Sequence, residues 1–317
     1  MYKYAAAIGV DIGSYSLKLA VLNIEGEVLL EVSFPLKQKR DKEYLLLSLK
    51  ESINIIRKKA ASAGINPICI GIAAKGFVDH QAGIVLGPEH GISGWKEVQL
   101  SKILNREIGL PVFVGNDANL MTIAEHKYGA AKGSKNVIFI ALRTGIGGGI
   151  IIDGKLYRGV KNAGGEIGQM IINYTGKRSD VGIHGSLEYY ASASALVRRY
   201  FEESGILKNK SKNNISAKEI FDLYYIGDPI ATKVVKENAN LVGIGVANLI
   251  SIFAPEIIVI GGGMGEAQGS YLEIIRESAY SNSLENYRTV VRIERASLGS
   301  KGALLGGAYY ALIRLAG

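Results

Sequence analysis

Carboxylates at strand ends and glycine-bearing turns are the residues of this chain that could do chemistry. The stretch "GNDAN" (115–119) puts Asp117 where an apolar strand gives way to a helix. A carboxylate in that place either caps the helix or takes a hydroxyl proton while that oxygen attacks a phosphoryl group. The stretch "DIGSYSLK" holds Asp11, Gly13, Ser14, Tyr15, Ser16 and Lys18 in a turn between two strands. Backbone free of side chains can approach phosphate there, hydroxyls can bond it, and the acid can hold hydrated Mg²⁺. A tight glycine hairpin explains the same residues equally well. "RTGIGGG" places Thr144, Gly145, Gly147, Gly148 and Gly149 at a second strand turn, more glycine than a two-residue turn needs. "GGGMG" brings Gly261, Gly262 and Gly263 after the strand 256–260, where a loop can pack on a flat base or ribose. No Walker or Rossmann fingerprint accompanies them. "AGGEIGQ" adds Glu166 and Gln169, and Glu188 follows. Carboxylates and an amide together suit a polyhydroxylated ligand, whose hydroxyls both donate and accept.

These residues need elements to hold them. "AAAIGVDIG", "LKLAVLNI" and "EVLLEVSF" read as three strands, and apolar positions 45, 46, 49, 53 and 56 predict a helix. "PICIGIAA" and "LPVFVGND" are further strands, the second opening into the helical "ANLMTIAEHKYGA". The same grammar then repeats. "KNVIFIALRTGIGGGIIIDGKLY" predicts three strands, with helices over 187–203, 217–225 and 229–253. "EIIVIGGGMG" is a strand entering a glycine loop, "ALLGGAYYALIRLAG" is a closing helix, and the polar stretch 203–216 is a surface loop. Two β-rich starts, each followed by helices, predict an α/β protein of two related lobes with a cleft between them. The expected division is 1–118 with the 302–317 helix packed back on it, and 119–301.

A chain of 317 residues can bury two sizeable cores, and 48% hydrophobic with 21% charged residues is ordinary globular composition. No apolar run approaches the ~18 residues of a membrane span, and the start lacks a signal-peptide pattern. A cytoplasmic location without a membrane partner is expected. Cys69 is the only cysteine, which excludes an internal disulfide and a multi-cysteine metal site. The net charge of +8 suggests anionic partners. Its basic runs, "KQKR", "RKK" and "KNKSK", are dispersed and read as solvated faces, so nucleic-acid binding is not expected.

With these motifs assembled, the chain resembles the ROK family of the actin-like, sugar-kinase ATPase superfamily. "GNDANL", "TGIGGGIIIDGKLYRG", "GGEIGQM" and "IVIGGGM" stand in family order along essentially the whole chain. The resemblance implies two actin-like (ribonuclease H-like) lobes with ATP and Mg²⁺ in the cleft, and transfer of the γ-phosphoryl group to a hydroxyl of glucose or a related hexose or N-acetylhexosamine. It implies Asp117 as catalytic base, with Asn116, Glu166, Gln169 and Glu188 binding the sugar. Asp11 would hold Mg²⁺ through water. Gly13, Ser14, Tyr15, Ser16, Thr144, Gly145, Gly147 and Gly148 would face phosphate, and Gly261, Gly262 and Gly263 adenosine. Family similarity also implies a homodimer.

Several positions depart from the family pattern. A histidine usually ends "GEIGH", with cysteines ten, twelve and seventeen residues later and a glutamate at nineteen. Counting from Gln169 gives Ser179, Val181, Ser186 and Glu188. The glutamate is kept and all four zinc ligands are replaced, so no structural zinc is expected. The phosphate turn has Tyr15 and Ser16 where the usual "DIGGTK" has threonine and lysine, and Lys75-Gly76 replaces a usual "PG". Family repressors carry a DNA-binding domain before the actin-like part. A first strand starting near residue 5 leaves no room for one, which favours a kinase, with a catalytically weak sugar- or nucleotide-binding sensor as the alternative.

Overall fold

The computed structural model describes residues 5–37, 40–89, 91–179, 181–205 and 215–317. They fall into two compact units, Met1–Tyr128 with Arg158–Gly164 and Ser300–Gly317, and Gly129–Tyr157 with Gly165–Gly299.

The first unit is built in chain order from β1 (Ala6–Ile12), β2 (Ser16–Asn23), β3 (Val28–Pro35), β4 (Arg40–Asp41) and α1 (Lys42–Ser62). Next come β5 (Pro67–Ala74), β6 (Phe77–Asp79), β7 (Ile84–Gly87), β8 (Ile92–Ser93), α2 (Leu100–Ile108), β9 (Val112–Asn116) and α3 (Asp117–Tyr128). The main sheet runs β3-β2-β1-β5-β9, with β1, β2 and β3 antiparallel and β5 and β9 added parallel to β1. Alternation along the central strands separates two chemically different faces. Ile8, Val10, Ile70 and Ile72 join Leu45, Leu49, Ile53 and Ile56 of α1 and Leu100 and Leu104 of α2 in one core. The opposite positions, Ala7, Gly9, Cys69, Gly71 and Ala73, are small and equally buried. Asp41 starts α1 by accepting the Tyr44 amide at 2.8 Å.

The second unit repeats the plan with β10 (Val137–Leu142), β11 (Ile146–Ile152), β12 (Lys155–Tyr157), α4 (Leu187–Ala191), α5 (Ala193–Ser204) and α6 (Ala217–Tyr225). It continues through α7 (Pro229–Phe253), β13 (Ile257–Gly261), α8 (Gly262–Gly265), α9 (Tyr271–Ser281), α10 (Tyr287–Val290) and β14 (Arg292–Arg295). The sheet order is β12-β11-β10-β13-β14, again three antiparallel strands followed by two parallel additions. The repeated grammar of the sequence is therefore a repeated topology. The last helix, α11 (Gly302–Ala316), returns to the first unit and lies on β1, β5 and α3. It meets the small-residue face directly. A Cβ on Gly71 would stand 1.8 Å from the Gly307 carbonyl oxygen, and one on Gly9 would stand 2.1 Å from that of Leu304.

Local details differ from the sequence reading. The helix expected over 187–203 is two, broken at Ser192, whose hydroxyl accepts the Ala195 amide at 3.2 Å to start α5. The "GGGMG" loop is the short helix α8. Helices α2 and α9 and strand β14 were not evident from the sequence. Most of the 203–216 loop (206–214) lies outside the described residues. No helix among the described residues is long and apolar enough to cross a membrane.

Candidate functional site

Parallel β1, β5 and β9 end at one edge of the first sheet, and candidate residues gather there because of the register. Asp11 pairs with Ala73, and Ala74 with Asn116, so Asp11, Lys75 and Asp117 emerge from three neighbouring strands. Asp11 is buried. The turn joining β1 to β2 closes at the same edge through the Gly13 amide, which donates to the Ser16 carbonyl at 3.0 Å. Glycine is required at 13, since a Cβ there would lie 2.8 Å from that same oxygen. Two cations hold the turn from outside. The Lys75 ammonium donates to Ser14 Oγ, and the Arg40 guanidinium donates to the Ser14 carbonyl at 2.8 Å. Tyr15 projects outward, 75% exposed.

The capping question at "GNDAN" has a clear answer. Asn116 Oδ1 accepts the Asn119 amide at 3.0 Å, the i to i+3 pattern of an N-cap, while its Nδ2 donates to the Gly76 carbonyl at 3.0 Å. Gly76 takes φ of 84°, left-handed backbone that glycine adopts without strain. Asn116 thus ties the start of α3 to the Lys75-Gly76 turn. Asp117 is the first helical residue, half-buried, and its Oδ1 accepts the neighbouring Ala118 amide at 2.9 Å. Its carboxylate stands at the positive end of a helix without being its cap.

In the second unit the glycines divide by role. Thr144 and Gly145 form the β10–β11 turn, but Gly147, Gly148 and Gly149 lie inside β11, paired with Ala141, Ile140 and Phe139. A Cβ on Gly148 would meet Ile167 Cδ1 at 2.4 Å, and one on Gly168 would meet the Ile146 carbonyl at 2.1 Å. These glycines let the 165–168 segment lie on β11, a packing role beside the phosphate-facing one that the family resemblance implies for Gly147 and Gly148. A Cβ on Gly145 would stand 2.3 Å from Glu188 Oε2, so glycine here admits that carboxylate. Glu188 Oε2 accepts the Ile146 amide at 2.7 Å and Oε1 accepts Gln169 Nε2 at 3.2 Å. The other amide atom, Gln169 Oε1, is buried with no hydrogen-bond partner among the described residues. Glu166 lies three residues earlier and is exposed. Glu188 is fixed through its own helix: Asn238 Nδ2 donates to the Ala191 carbonyl at 3.0 Å, and Asn238 Oδ1 accepts from Tyr271 OH at 2.6 Å.

The three glycines after β13 also differ. A Cβ on Gly261 would strike the Phe139 ring at 2.7 Å, and one on Gly262, at φ of 81°, would strike the Leu142 carbonyl at 2.5 Å. Gly263 is exposed and a Cβ on it would meet nothing within 4 Å. Of the three, Gly263 alone faces space a flat ring could use.

The replaced zinc positions are occupied otherwise. Gln169 serves Glu188, Ser179 Oγ accepts the Ile183 amide at 3.1 Å, and Ser186 Oγ caps α4 by accepting the Tyr189 amide at 3.3 Å. Val181 is exposed, and Asp180 lies outside the described residues. The loop closes through backbone bonds, with Ile172 N to the Gly185 carbonyl at 2.9 Å and Gly185 N to the Lys177 carbonyl at 3.0 Å.

Each unit by itself offers groups of a kind that nucleotide binding uses. In the first unit, a buried acid beside a hydroxyl-bearing glycine turn suits hydrated Mg²⁺ and phosphate; in the second unit, taken by itself, the open face of Gly263 leaves room for a flat ring. The orphaned Gln169 acceptor suits a ligand hydroxyl. Sequence reasoning missed Lys75 and Arg40 as partners of the β1–β2 turn, because they lie 61 and 26 residues from Ser14.

Comparison with known proteins agrees in family and fold. A family model described as "ROK family" matches residues 7–313. The glucokinase of Halalkalibacterium halodurans is 30% identical over 311 residues, spanning 95% of this chain and 93% of its own. The xylose repressor of Caldicellulosiruptor bescii is 31% identical over 305 residues, spanning 94% of this chain and 76% of its own. Among solved structures, a ROK family glucokinase from Streptomyces griseus in complex with glucose and AMPPNP superposes with a TM-score of 0.85. It is 31% identical, with 98% of this chain and 100% of that chain covered.

Proposed function

The chain belongs to the ROK family and has its actin-like, two-lobed fold, and from that premise we propose an ATP-dependent sugar kinase acting on a hydroxyl of glucose or a related hexose or N-acetylhexosamine. Glucokinase relatives at about 30% identity support a sugar kinase. The observation that carries the reading is the division of labour in "GNDAN". Asn116 caps α3, so the Asp117 carboxylate at the sheet edge has no capping duty to explain it.

Each residue then has a task. Asp117 accepts the proton of the attacking sugar hydroxyl as the new O–P bond forms and the bond to the leaving ADP oxygen breaks. Asn116 and the Gly76 turn set the position of that carboxylate. Gln169 Oε1 accepts a sugar hydroxyl, and Glu188 fixes the Gln169 amide by taking its N–H. Asp11 and the 13–16 turn orient the phosphates. Bound Mg²⁺ supplies charge neutralisation at the phosphoryl oxygens.

A second reading, a sugar-binding sensor, has its own support: both Glu188 oxygens already receive N–H groups of the protein. One substitution separates the two. Asp117→Asn keeps the shape of the side chain but cannot take a proton, so turnover falls by about 10²–10⁴-fold, while sugar affinity and melting temperature change little. The assay is phosphoryl transfer from ATP to a panel of hexoses and N-acetylhexosamines, wild type beside mutant. Equal activity in the two proteins refutes the base. Tight sugar binding without turnover in either favours the sensor.

A further inference from the structure

Away from the candidate site, three segments of the first unit bring two guanidinium groups and an imidazole onto one tyrosine. His80 follows β6, Arg158 opens the 158–164 segment, and Arg314 lies in the last turn of α11. The Cζ atoms of Arg158 and Arg314 stand 5.6 and 5.9 Å from the centre of the Tyr310 ring. Arg314 Cζ is also 5.8 Å from the centre of the Phe113 ring in β9, and its NH1 lies 3.3 Å from His80 Nδ1. Arginine can only donate, so Nδ1 accepts and the imidazole proton is on Nε2. The Tyr310 hydroxyl donates to the His80 carbonyl at 3.4 Å. Tyr310 is buried, whereas His80, Arg158 and Arg314 are half-buried and open to a solute.

Among the described residues no carboxylate pairs with either guanidinium. Asp79 is the acid whose charge reaches His80, and its Oδ1 is engaged by the Gln81 and Ala82 amides at 3.0 and 3.1 Å. The crowding shows in the titration of the cluster. Burial lowers the Arg158 pKa and the charge of Arg314 adds to it, against the opposing effect of Tyr310. Burial, then Arg158 and Arg314, lower that of His80, against a backbone hydrogen bond and Asp79. Packing alone is a weak account of this arrangement. A ring attracts cations, but two guanidinium groups on one tyrosine share its quadrupole and repel each other. Arg314 has the negative end of α11 to serve. Arg158 has no such duty, and among the described residues its guanidinium contacts the Tyr310 ring without a hydrogen bond. A partly desolvated charge in that state is costly, and an anion supplies the missing acceptor.

We propose that Arg158, Arg314 and His80 form a second anion site of the first unit, one that binds a dianionic phosphate group. Two fixed positive charges match a dianion, and a single carboxylate would leave one of them unmet. A phosphate monoester carries close to two negative charges at neutral pH and presents three oxygens. The two planar forks and the His80 Nε2–H are donors of the kind those oxygens take. Inorganic phosphate and the phosphate of a phosphorylated sugar share this chemistry. The site is separate from the sheet edge where Asp117 stands. Arg314 packs at Phe113, three residues before Asn116 in β9, roughly 10 Å along a strand. The inference does not depend on the kinase reading.

The test is calorimetry on the full chain in a phosphate-free buffer, with inorganic phosphate, glucose 6-phosphate and acetate as probes and sodium chloride holding the ionic strength constant. Wild type is compared with Arg158→Met, Arg158→Lys and Arg314→Met, each with its melting temperature. Wild type is expected to bind inorganic phosphate with a Kd of about 1 mM or tighter. Loss of one charge-assisted hydrogen bond weakens this by about 10–100-fold in Arg158→Met and in Arg314→Met. Arg158→Lys keeps the charge without the fork and falls between. The His80 imidazole resonances, assigned with His80→Gln, shift as phosphate is added, and saturation with MgAMPPNP leaves phosphate binding in place. Folded Arg158→Met and Arg314→Met proteins that bind phosphate as wild type does overturn the proposal. So does phosphate that nucleotide displaces while the His80 resonances stay still, because the anion then sits at the candidate site. Acetate binding as tightly as phosphate overturns the dianion, and wild type that binds no phosphate at millimolar concentration overturns the site. An Arg158-dependent preference for glucose 6-phosphate supports a phosphorylated sugar as the source, and one for inorganic phosphate supports the free ion. If Arg314→Met fails to fold, the two Arg158 variants carry the same comparison. A chain that binds no nucleotide removes the kinase reading and leaves this comparison intact.

Discussion

Single atoms decide what each glycine of this chain is for. Gly262 and Gly263 are adjacent and look alike in "GGGMG", but an added Cβ would collide with the Leu142 carbonyl at 262 and meet open space at 263. The two substitutions to valine therefore fail differently. Gly262→Val imposes a left-handed φ on a branched residue and overlaps backbone, so it lowers the melting temperature by a cost of about 1–3 kcal/mol or more. Gly263→Val leaves the fold intact and fills the space proposed for the base, weakening MgATP by roughly tenfold, ~1.4 kcal/mol. Calorimetry and thermal melts on both variants check this. A Gly263→Val protein with wild-type nucleotide affinity removes the adenosine assignment. That Asp117 opens a helix was legible at this scale from its place after an apolar strand. Which of Asn116 and Asp117 caps the helix was not, because both residues cap about equally well and the strand register chooses between them.

The loop between Gln169 and Glu188 is held by hydrogen bonds of its own. Its ends meet through the Ile172 amide on the Gly185 carbonyl and the Leu187 amide on the Met170 carbonyl at 2.8 Å. The Gln169 amide and the Ser186 hydroxyl spend their hydrogen bonds on Glu188 and the start of α4. The purified protein is therefore expected to carry no stoichiometric zinc, and EDTA to leave its melting temperature unchanged. A structural zinc contributes about 10–16 kcal/mol of folding free energy in small domains, so its removal would be plain in a melt. One tightly bound zinc per chain by elemental analysis sinks this. The element scale is also where sequence reading was weakest. Ser192 interrupts what looks like one helix because its hydroxyl serves the next one. Gly147–Gly149 read as part of a strand turn but lie inside β11, and a side chain at 148 would meet Ile167, a contact that no local pattern displays.

At the scale of the molecule, each unit's alternation of apolar runs with helices was legible, because strand and helix periods survive in any context. What joins distant parts of the first unit was less so. Gly9 and Gly71 look like flexible points within strands, whereas they let α11 lie against backbone. Three chain segments meet around His80. Its backbone carbonyl accepts from Tyr310 OH at 3.4 Å, its Nδ1 lies 3.3 Å from Arg314 NH1 in α11, and Arg158 sits over the Tyr310 ring at 5.6 Å. Burial, then the charges of Arg158 and Arg314, lower the His80 pKa below its ordinary 6.5, outweighing the raising effects of a backbone hydrogen bond and of Asp79. The sign of the consequence follows. Below 6.5 the unfolded chain binds a proton at this histidine that the folded chain refuses, so stability rises with pH through the window beneath that value and falls on acidification. His80→Gln removes the titration while keeping a polar side chain of similar reach. The mutant's melting temperature should therefore decline less than wild type's as pH falls below about 6.5. The difference should shrink when Arg158→Met or Arg314→Met takes away a repelling charge. Parallel declines in wild type and His80→Gln would show that the meeting point of the three segments does not set the acid stability of this unit.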